Sequence, residues 1–385
     1  MLVVLTALCS GGPVPSAGAS GQSWSVVPPP SSGGDGVLNG VTCLAPDDCV
    51  AVGYVASGGP DLTLVQRWNG QSWAVMSSPN QGGASSFLSG VSCVSASDCT
   101  AVGSYIPIVE PQTFALRWDG SSWSVVLPPN VGSRMNYLLS VSCLSASDCV
   151  AVGWFNDGAR DATLVQRWNG AQWSVVSSPN QGSSNNFLTD VACTSATDCI
   201  AVGFYSDGAR NQTLVLRWNG AQWSVVSSPN QGSSSNAMSA VSCASASACT
   251  AVGVFNDGTR TATSAMQWNG STWSFTASPN QGLGNNHLTD VSCTSATDCT
   301  AVGYYIDGTW NAAQVQHWDG SSWTVVPVPS QGSSHNFPYS VSCTTTTDCT
   351  AVGQYSDGNL ARRLALRSID PTPPPSLVVT PAYTG

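Results

Sequence analysis

Leu188-Thr-Asp-Val-Ala-Cys193, Cys199-Ile-Ala-Val-Gly-Phe-Tyr205, Thr213-Leu-Val-Leu-Arg-Trp218 and Trp223-Ser-Val-Val226 follow one another within residues 188–226. Each run alternates in polarity or is rich in β-branched and aromatic residues. Clusters of Ser, Asp, Asn, Gly and Pro bound each one, the pattern of short strands joined by turns. No window in the unit has room for an amphipathic helix of even about ten residues. Four short strands joined tightly predict a small twisted antiparallel sheet, which is a propeller blade.

The rest of the chain repeats this unit. Ala-Val-Gly recurs at 51–53, 101–103, 151–153, 201–203, 251–253, 301–303 and 351–353, and Trp-[Asn/Asp]-Gly-x-x-Trp begins at Trp68, Trp118, Trp168, Trp218, Trp268 and Trp318. Such a period belongs to propellers, kelch-type arrays or helical solenoids, and the strand pattern removes the last of these. The first three strand types recur seven times, but in the last copy Ser368 replaces the Trp and no Trp-Ser-Val-Val follows. The missing strand stands at the other end, as Trp24-Ser-Val-Val27. Pairing it with residues 363–368 gives every blade four strands and leaves no open edge in the ring. The expectation is therefore an all-β, seven-bladed propeller over residues 20–370, closed by an N-terminal outer strand in the last blade. The strand ending in Val-x-Cys is innermost, where crowding at the axis favours small residues, and the Trp-bearing strand is outermost.

Fourteen of the fifteen Cys form pairs six residues apart: Cys43/Cys49, Cys93/Cys99, Cys143/Cys149, Cys193/Cys199, Cys243/Cys249, Cys293/Cys299 and Cys343/Cys349. A Cys-x5-Cys unit without His is a poor zinc site, because four ligands would have to come from distant repeats. The pairs read as seven local disulfides, with buried free thiols as the alternative. Residues 1–19 read as a signal peptide: Leu2 to Leu8 is apolar and Ala17-Gly18-Ala19 is a cleavage signature, although a basic start is missing. Cys9 would leave with it. No other run approaches the ~18 apolar residues of a membrane span. Pro371-Thr-Pro-Pro-Pro375 reads as a stiff linker, and residues 376–385 as the start of a further domain. The expected location is extracellular or the cell surface, with the chain acting as a monomer within a longer protein.

The formal net charge of −10 is thinly spread, there is no Lys, and Glu110 is the only Glu. Without a basic cluster, nucleic acid and anionic membrane are excluded as partners. Groups suited to catalysis are scarce. His287, His317 and His335 stand where other repeats carry Phe, Arg or Ser and read as substitution drift. Arg67, Arg117, Arg167 and Arg217 are one repeated strand position, expected to pack along their stems. No nucleophile elbow, zinc-protease or phosphate-loop motif occurs. Asp48, Asp98, Asp148, Asp198, Asp298 and Asp348 precede the second Cys of their pairs and are expected to cap the turn. No catalytic residue, metal or cofactor is expected.

The candidate ligand-binding face carries the second-to-third and fourth-to-first loops. Asp157 with Arg160, Asp207 with Arg210 and Asp257 with Arg260 place an acid and a guanidinium on neighbouring hairpins. Aromatics precede the hairpins at Phe155, Tyr205, Phe255, Tyr305 and Tyr355, and the longer loops add Asn180-Gln181, Asn230-Gln231 and Asn280-Gln281. Amides, Asp–Arg forks and aromatic faces are the groups that bind sugars, through hydroxyl hydrogen bonds and stacking. Asp-Gly is equally a hairpin turn signal, and an aromatic ending a strand also packs between blades.

The unit Val-x-Cys-x5-Cys-x-Ala-Val-Gly … Leu-Val-x-Arg-Trp-Asn-Gly-x-x-Trp resembles bacterial secreted propeller repeats of the kelch and Asp-box kind. Gly120-Ser121-Ser122-Trp123 matches the end of an Asp-box, with the Asp one residue closer and the usual upstream Ser absent. The Ala-Val-Gly strand is similar to that of photosystem-assembly-factor hairpin repeats. The resemblance spans residues 24–369 and implies a propeller, a fold that hosts many functions. The functional expectation is a secreted, non-catalytic binding or adhesion module for an extracellular glycan or a surface protein. The alternatives are a polysaccharide-acting hydrolase or lyase, and a structural spacer of a larger surface protein.

Overall fold

The computed structural model describes residues 22–30, 34–332, 334–358 and 360–369. The signal peptide and the Pro-rich segment read from the sequence lie outside these residues. Seven four-stranded antiparallel sheets form the propeller, and in each the strand order follows the chain. Blade 4 is representative, with strands Asn186–Ser195, Asp198–Ser206, Asn211–Trp218 and Trp223–Val225. Blade 7 is completed from the other end of the chain: Ser23–Val26 pairs antiparallel with Leu360–Ile369, setting Trp24 opposite Ser368. The one-plus-three closure expected from the strand count is present.

Within each blade the second and third strands are the most buried, and the Gly of the Ala-Val-Gly strand is dictated by a close approach. A Cβ on Gly203 would lie 2.0 Å from the Phe187 carbonyl oxygen, and the other six equivalents are as crowded. Large residues from two successive sheets fill each seam. Val150, Val152 and Val165 of blade 3 meet Leu188, Leu214, Leu216, Trp218 and Trp223 of blade 4, all buried. In six blades a Trp pair opens and closes the third-to-fourth turn, with ring centroids 5.6–5.8 Å apart. The first indole donates to a carbonyl in the Cys hairpin, as Trp218 does to Ala196 at 3.1 Å. Blade 7 has Ser368 in that place, and Gln22 donates to the corresponding Thr346 carbonyl instead.

All seven disulfides are formed, joining residues directly opposite in register, such as Cys193 and Cys199. The alternative of buried free thiols falls away. The two halves of each bridge differ in burial, which spacing does not reveal. Cys43, Cys93, Cys143, Cys193, Cys243, Cys293 and Cys343 are half-buried on the first strand. Their partners Cys49, Cys99, Cys149, Cys199, Cys249, Cys299 and Cys349 are fully buried, none more than 3% exposed. These seven belong to the seam core and to no accessible site, because each opens the interior second strand and points at the neighbouring sheet. The sulfurs of Cys49, Cys149, Cys299 and Cys349 there lie 3.4–3.7 Å from the hydroxyls of Thr350, Thr100, Thr250 and Thr300 of the preceding blade. The role of the cysteines is structural.

The Asp before the second Cys does not cap the turn as expected; the turn amide goes to a hydroxyl, as that of Thr197 does to Ser195, and the Asp holds a side chain of the third strand. Asp48, Asp98, Asp148, Asp198 and Asp348 pair with Arg67, Arg117, Arg167, Arg217 and Arg367 at 2.7–3.0 Å. Asp298 bonds His317 Nε2 at 2.7 Å. The Arg side chains therefore do not simply lie along the surface: four of them also cover a Trp of the next blade, Arg367 reaching Trp68 across the closure at 4.8 Å. His317 stands at the Arg position and keeps the bond to the Asp.

Every first strand carries an irregularity at the same place, between residues equivalent to Leu188 and Asp190. A bulge re-aims side chains locally. Here it presents two residues per blade to an axial channel of about 370 Å³.

Candidate functional site

Alternation of strand direction puts the second-to-third hairpins and the fourth-to-first loops on one face of the ring. The sequence-predicted ligand residues all lie there, but most of their polar atoms serve the loops themselves. Asp157 Oδ1 accepts the amides of Ala159 and Arg160, both at 2.8 Å, and its other oxygen stands 3.7 Å from the Arg160 guanidinium. Asp207–Arg210 and Asp257–Arg260 repeat this at 3.6 Å. Backbone donors, those of Ala159 and Ala209 first, hold the Asp157 and Asp207 carboxyls below their ordinary range. The Thr259 hydroxyl leads in bringing Asp257 down to about 2. The guanidiniums then bind loop carbonyls: Arg160 on Gly182, Arg210 on Ser233 and Arg260 on Gly282. Each fork thus ties a hairpin to the adjoining long loop.

The long loops are equally braced. Asn180 and Asn230 accept the amides of Thr163 and Thr213 at 2.9 Å. The Gln181 and Gln231 amides donate to buried Asn186 and Asn236, which return their own side-chain N–H groups to the Gln carbonyls. Gln181 also reaches the Tyr205 hydroxyl at 3.3 Å, and Tyr205 packs against the seam core. Tyr205 and Tyr305 lie beside the loop glycines Gly182 and Gly282. The predicted residues therefore build a rigid face.

Phe155, Tyr205, Phe255, Tyr305 and Tyr355 are half-buried, and further half-buried rings stand on that face at two other positions, which sequence reading passed over. One is the residue before the buried Leu of the first strand: Phe87, Tyr137, Phe187, His287 and Phe337. The other follows Ala-Val-Gly: Tyr54, Trp154, Phe204 and Tyr304. All nine are half-buried. Where both partners are aromatic, the second-strand ring of one blade meets the first-strand ring of the next edge to face: Tyr54–Phe87 at 5.0 Å, Trp154–Phe187 at 5.3 Å and Tyr304–Phe337 at 4.9 Å. Within a blade the two rings stack or tilt together, as in Tyr137–Trp154 at 4.6 Å and His287–Tyr304 at 4.7 Å. His287, read as drift at a Phe position, is one of these tiles, and burial lowers its pKa. Ala237 and Val254 leave a gap in the arc at blade 5. The legible signal was alternation: each such residue precedes or follows a residue of the core.

Inside the arc lies the axial channel, whose walls are mostly Ser, Thr, Gly and Val, with Tyr339 and the carboxylates Asp190 and Asp290. Ser hydroxyls of one blade accept the Cys amide of the next, as Ser142 does from Cys193 at 3.1 Å. Asp190 joins three blades: it accepts the Ser140 hydroxyl, its own Val191 amide and the Val241 amide at 2.7 Å. Asp290 likewise accepts the amides of Val291 and Val341, both at 2.7 Å. Burial at the axis outweighs these donors and raises Asp190 to about 6; burial and then the charge of Asp190 raise Asp290 to about 7. Tyr339 is pushed up to about 12, chiefly by burial and then by the phenols of Tyr304 and Tyr54. With both oxygens of each carboxylate already holding amides, these groups act first as inter-blade staples.

Among the described residues no helix is long and apolar enough to cross a membrane, and no cluster of three or more potential metal ligands occurs. No family model matches the sequence, and no curated protein matches it. Solved structures do match in fold. A YCF48 bound to D1 peptide superposes with a TM-score of 0.56 at 13% identity, over 90% of this chain and 96% of that one. A GH74 xyloglucanase from Xanthomonas campestris gives 0.57 at 12%, over 86% of this chain and 53% of that one. A PL25 ulvan lyase bound to -[GlcA(1-4)Rha3S]- gives 0.52 at 11%, over 86% and 93%. At such identities the likeness is one of fold: this chain is a seven-bladed, four-stranded β-propeller with a disulfide in every blade.

Proposed function

We propose that this chain is a non-catalytic, extracellular binding propeller whose loop face takes a carbohydrate. The observation that carries the reading is the arc of nine half-buried rings around the channel mouth. Flat aromatic faces stack on the C–H faces of sugars, and the surrounding amides and hydroxyls offer partners for sugar hydroxyls. The braced Asp–Arg and Asn–Gln loops support it, because a pre-organised face has little conformational entropy left to lose on binding. Repetition of the arc over several blades favours multivalent capture of a long chain. Seven disulfides fit an oxidising compartment outside the cytosol.

The test is a glycan array on the purified chain, followed by titration calorimetry on the best ligand and a reducing-end assay on the same mixture. Binding with no rise in reducing ends or unsaturated products is expected. Turnover of a polysaccharide would replace this reading with the enzymatic one, in which Asp190 and Asp290 are the first residues to substitute. No binding to any glycan would overturn it.

A further inference from the structure

Trp310 differs from every other indole in the chain. Of fifteen Trp, thirteen are buried in the seams and Trp154 is a half-buried tile of the arc, but Trp310 is 51% exposed. It occupies the hairpin position where blades 3, 4 and 5 carry Arg160, Arg210 and Arg260. In blade 6 the turn is Gly308-Thr309 between the paired Asp307 and Trp310, with Gly308 at φ 62°. The indole projects at the tip, and among the described residues its N–H meets no acceptor.

Behind Trp310 a single file of rings leads inward. The indole meets His335 edge to face at 5.4 Å, His335 stacks on Phe337 at 5.9 Å, and Phe337 lies parallel to Tyr339 at 6.3 Å. Tyr339 lines the axial channel. The steps are comparable with the length of one pyranose residue in a polysaccharide. His335 is oriented by Asn311, whose backbone amide donates to Nδ1 at 3.1 Å. A backbone amide can only donate, so Nδ1 is the acceptor and the ring proton sits on Nε2, available to a ligand hydroxyl. The file is one ring wide, far short of the roughly 800 Å² per partner of a stable protein interface. No cationic side chain belongs to it, and its inner end opens on Asp190 and Asp290, which disfavour an anionic chain.

Resting on the carbohydrate reading above, we infer that Trp310, His335, Phe337 and Tyr339 form a radial track across blades 6 and 7 for an extended chain of uncharged sugars. Trp310 stacks on the outermost sugar, and Tyr339 meets the innermost at the channel mouth.

Calorimetric titration of the full chain with neutral gluco- and manno-oligosaccharides, and with oligo-uronates of equal length, tests this. Trp310→Ala is expected to weaken neutral oligosaccharide binding about tenfold or more. Its melting temperature should match the wild type because the indole is not part of the core. Trp310→Phe should retain most of the affinity, and Gln222→Ala, on the opposite face, all of it. Iodide quenching adds an independent readout, since ligand should shield the exposed indole. Wild-type affinity in Trp310→Ala overturns the track while leaving carbohydrate binding to the rest of the arc. Oligo-uronates bound as tightly as neutral chains overturn the ligand class. A wild type that binds no glycan overturns both readings.

Discussion

Asp98 and Arg117 illustrate how much a single repeated residue does. The guanidinium binds both Asp98 oxygens at 3.0 Å, the Thr100 hydroxyl at 2.7 Å and the Ala146 carbonyl of the next blade, and it covers Trp168 at 5.1 Å. One side chain thereby couples the Cys hairpin, its own third strand and the neighbouring sheet. Blade 5 lacks both members, having Ala248 and Gln267. The paired loss fits the physics, because an Asp or Arg kept alone in this half-buried place would lose its charge partner. Among the described residues, the Gln267 side-chain amide nitrogen is buried without a partner. The double variant Ala248→Asp/Gln267→Arg should therefore stabilise the protein by about 0.5–1 kcal/mol. Chemical denaturation of the two single variants and the double should give a favourable coupling. Strict additivity would mean that the ladder of pairs contributes no energy.

At the scale of the element, the Cys hairpin is stabilised twice. Its strands are in continuous register from Asp190 to the Cys pair, and the disulfide joins residues already opposite each other, with Cα atoms 4.0 Å apart in blade 4. The cross-link closes a short loop, so the chain-entropy model gives about 2.4 kcal/mol for it. Cys193→Ala/Cys199→Ala should lower stability by about 2–3 kcal/mol without altering the far-ultraviolet dichroism, because the ladder and seam packing persist. Loss of β signal would show that the bridge, and not the ladder, forms the hairpin. The pairing was readable from spacing alone, since a Cys-x5-Cys unit between two strand patterns leaves little choice of partner. The Asp–Arg pairing was not readable: the two residues are nineteen positions apart, and only the sheet register brings them together.

At the scale of the whole molecule, the ring creates an environment that no blade has alone. Asp190 and Asp290 come to the axis only after the sheets close, and their folded-state pKa values of about 6 and about 7 exceed the ordinary 3.8. The folded protein then binds these protons more tightly than the unfolded chain. That stabilisation is complete below about pH 4 and is lost as pH rises through 6 and 7. Asp119, Asp257 and Asp319, held near 2 first by the hydroxyls of Ser121, Thr259 and Ser321, act in the opposite direction. Their contribution is present above about pH 4 and fades as pH falls toward 2. His287, lowered by burial, opposes the axial pair as pH falls below its ordinary 6.5, but it is one group against two. The melting temperature is expected to peak near pH 4–5 and to decline toward pH 7.5. Asp190→Asn/Asp290→Asn should flatten that decline. A wild-type melting temperature that rises steadily from pH 4.5 to 7.5 would refute the assignment of half-buried, protonatable carboxylates at the axis.

The sequence by itself determined the number of blades, the order of strands, which cysteines pair and the closure through Trp24, because each follows from local alternation, turn chemistry and a repeat counted along the chain. Even the identity of the loop face was legible, since strand direction alone sorts the connections onto two sides. The tertiary structure alone decided which residues that face offers. Asp157, Arg160, Asn180 and Gln181 look like ligand groups in sequence, yet their hydrogen bonds turn inward to hold the loops. Phe187, Trp154 and Trp310 look like core residues or turn variants, yet their rings are left partly or largely uncovered. The physical reason is that exposure depends on how adjacent blades meet, and that contact joins residues about a whole repeat apart.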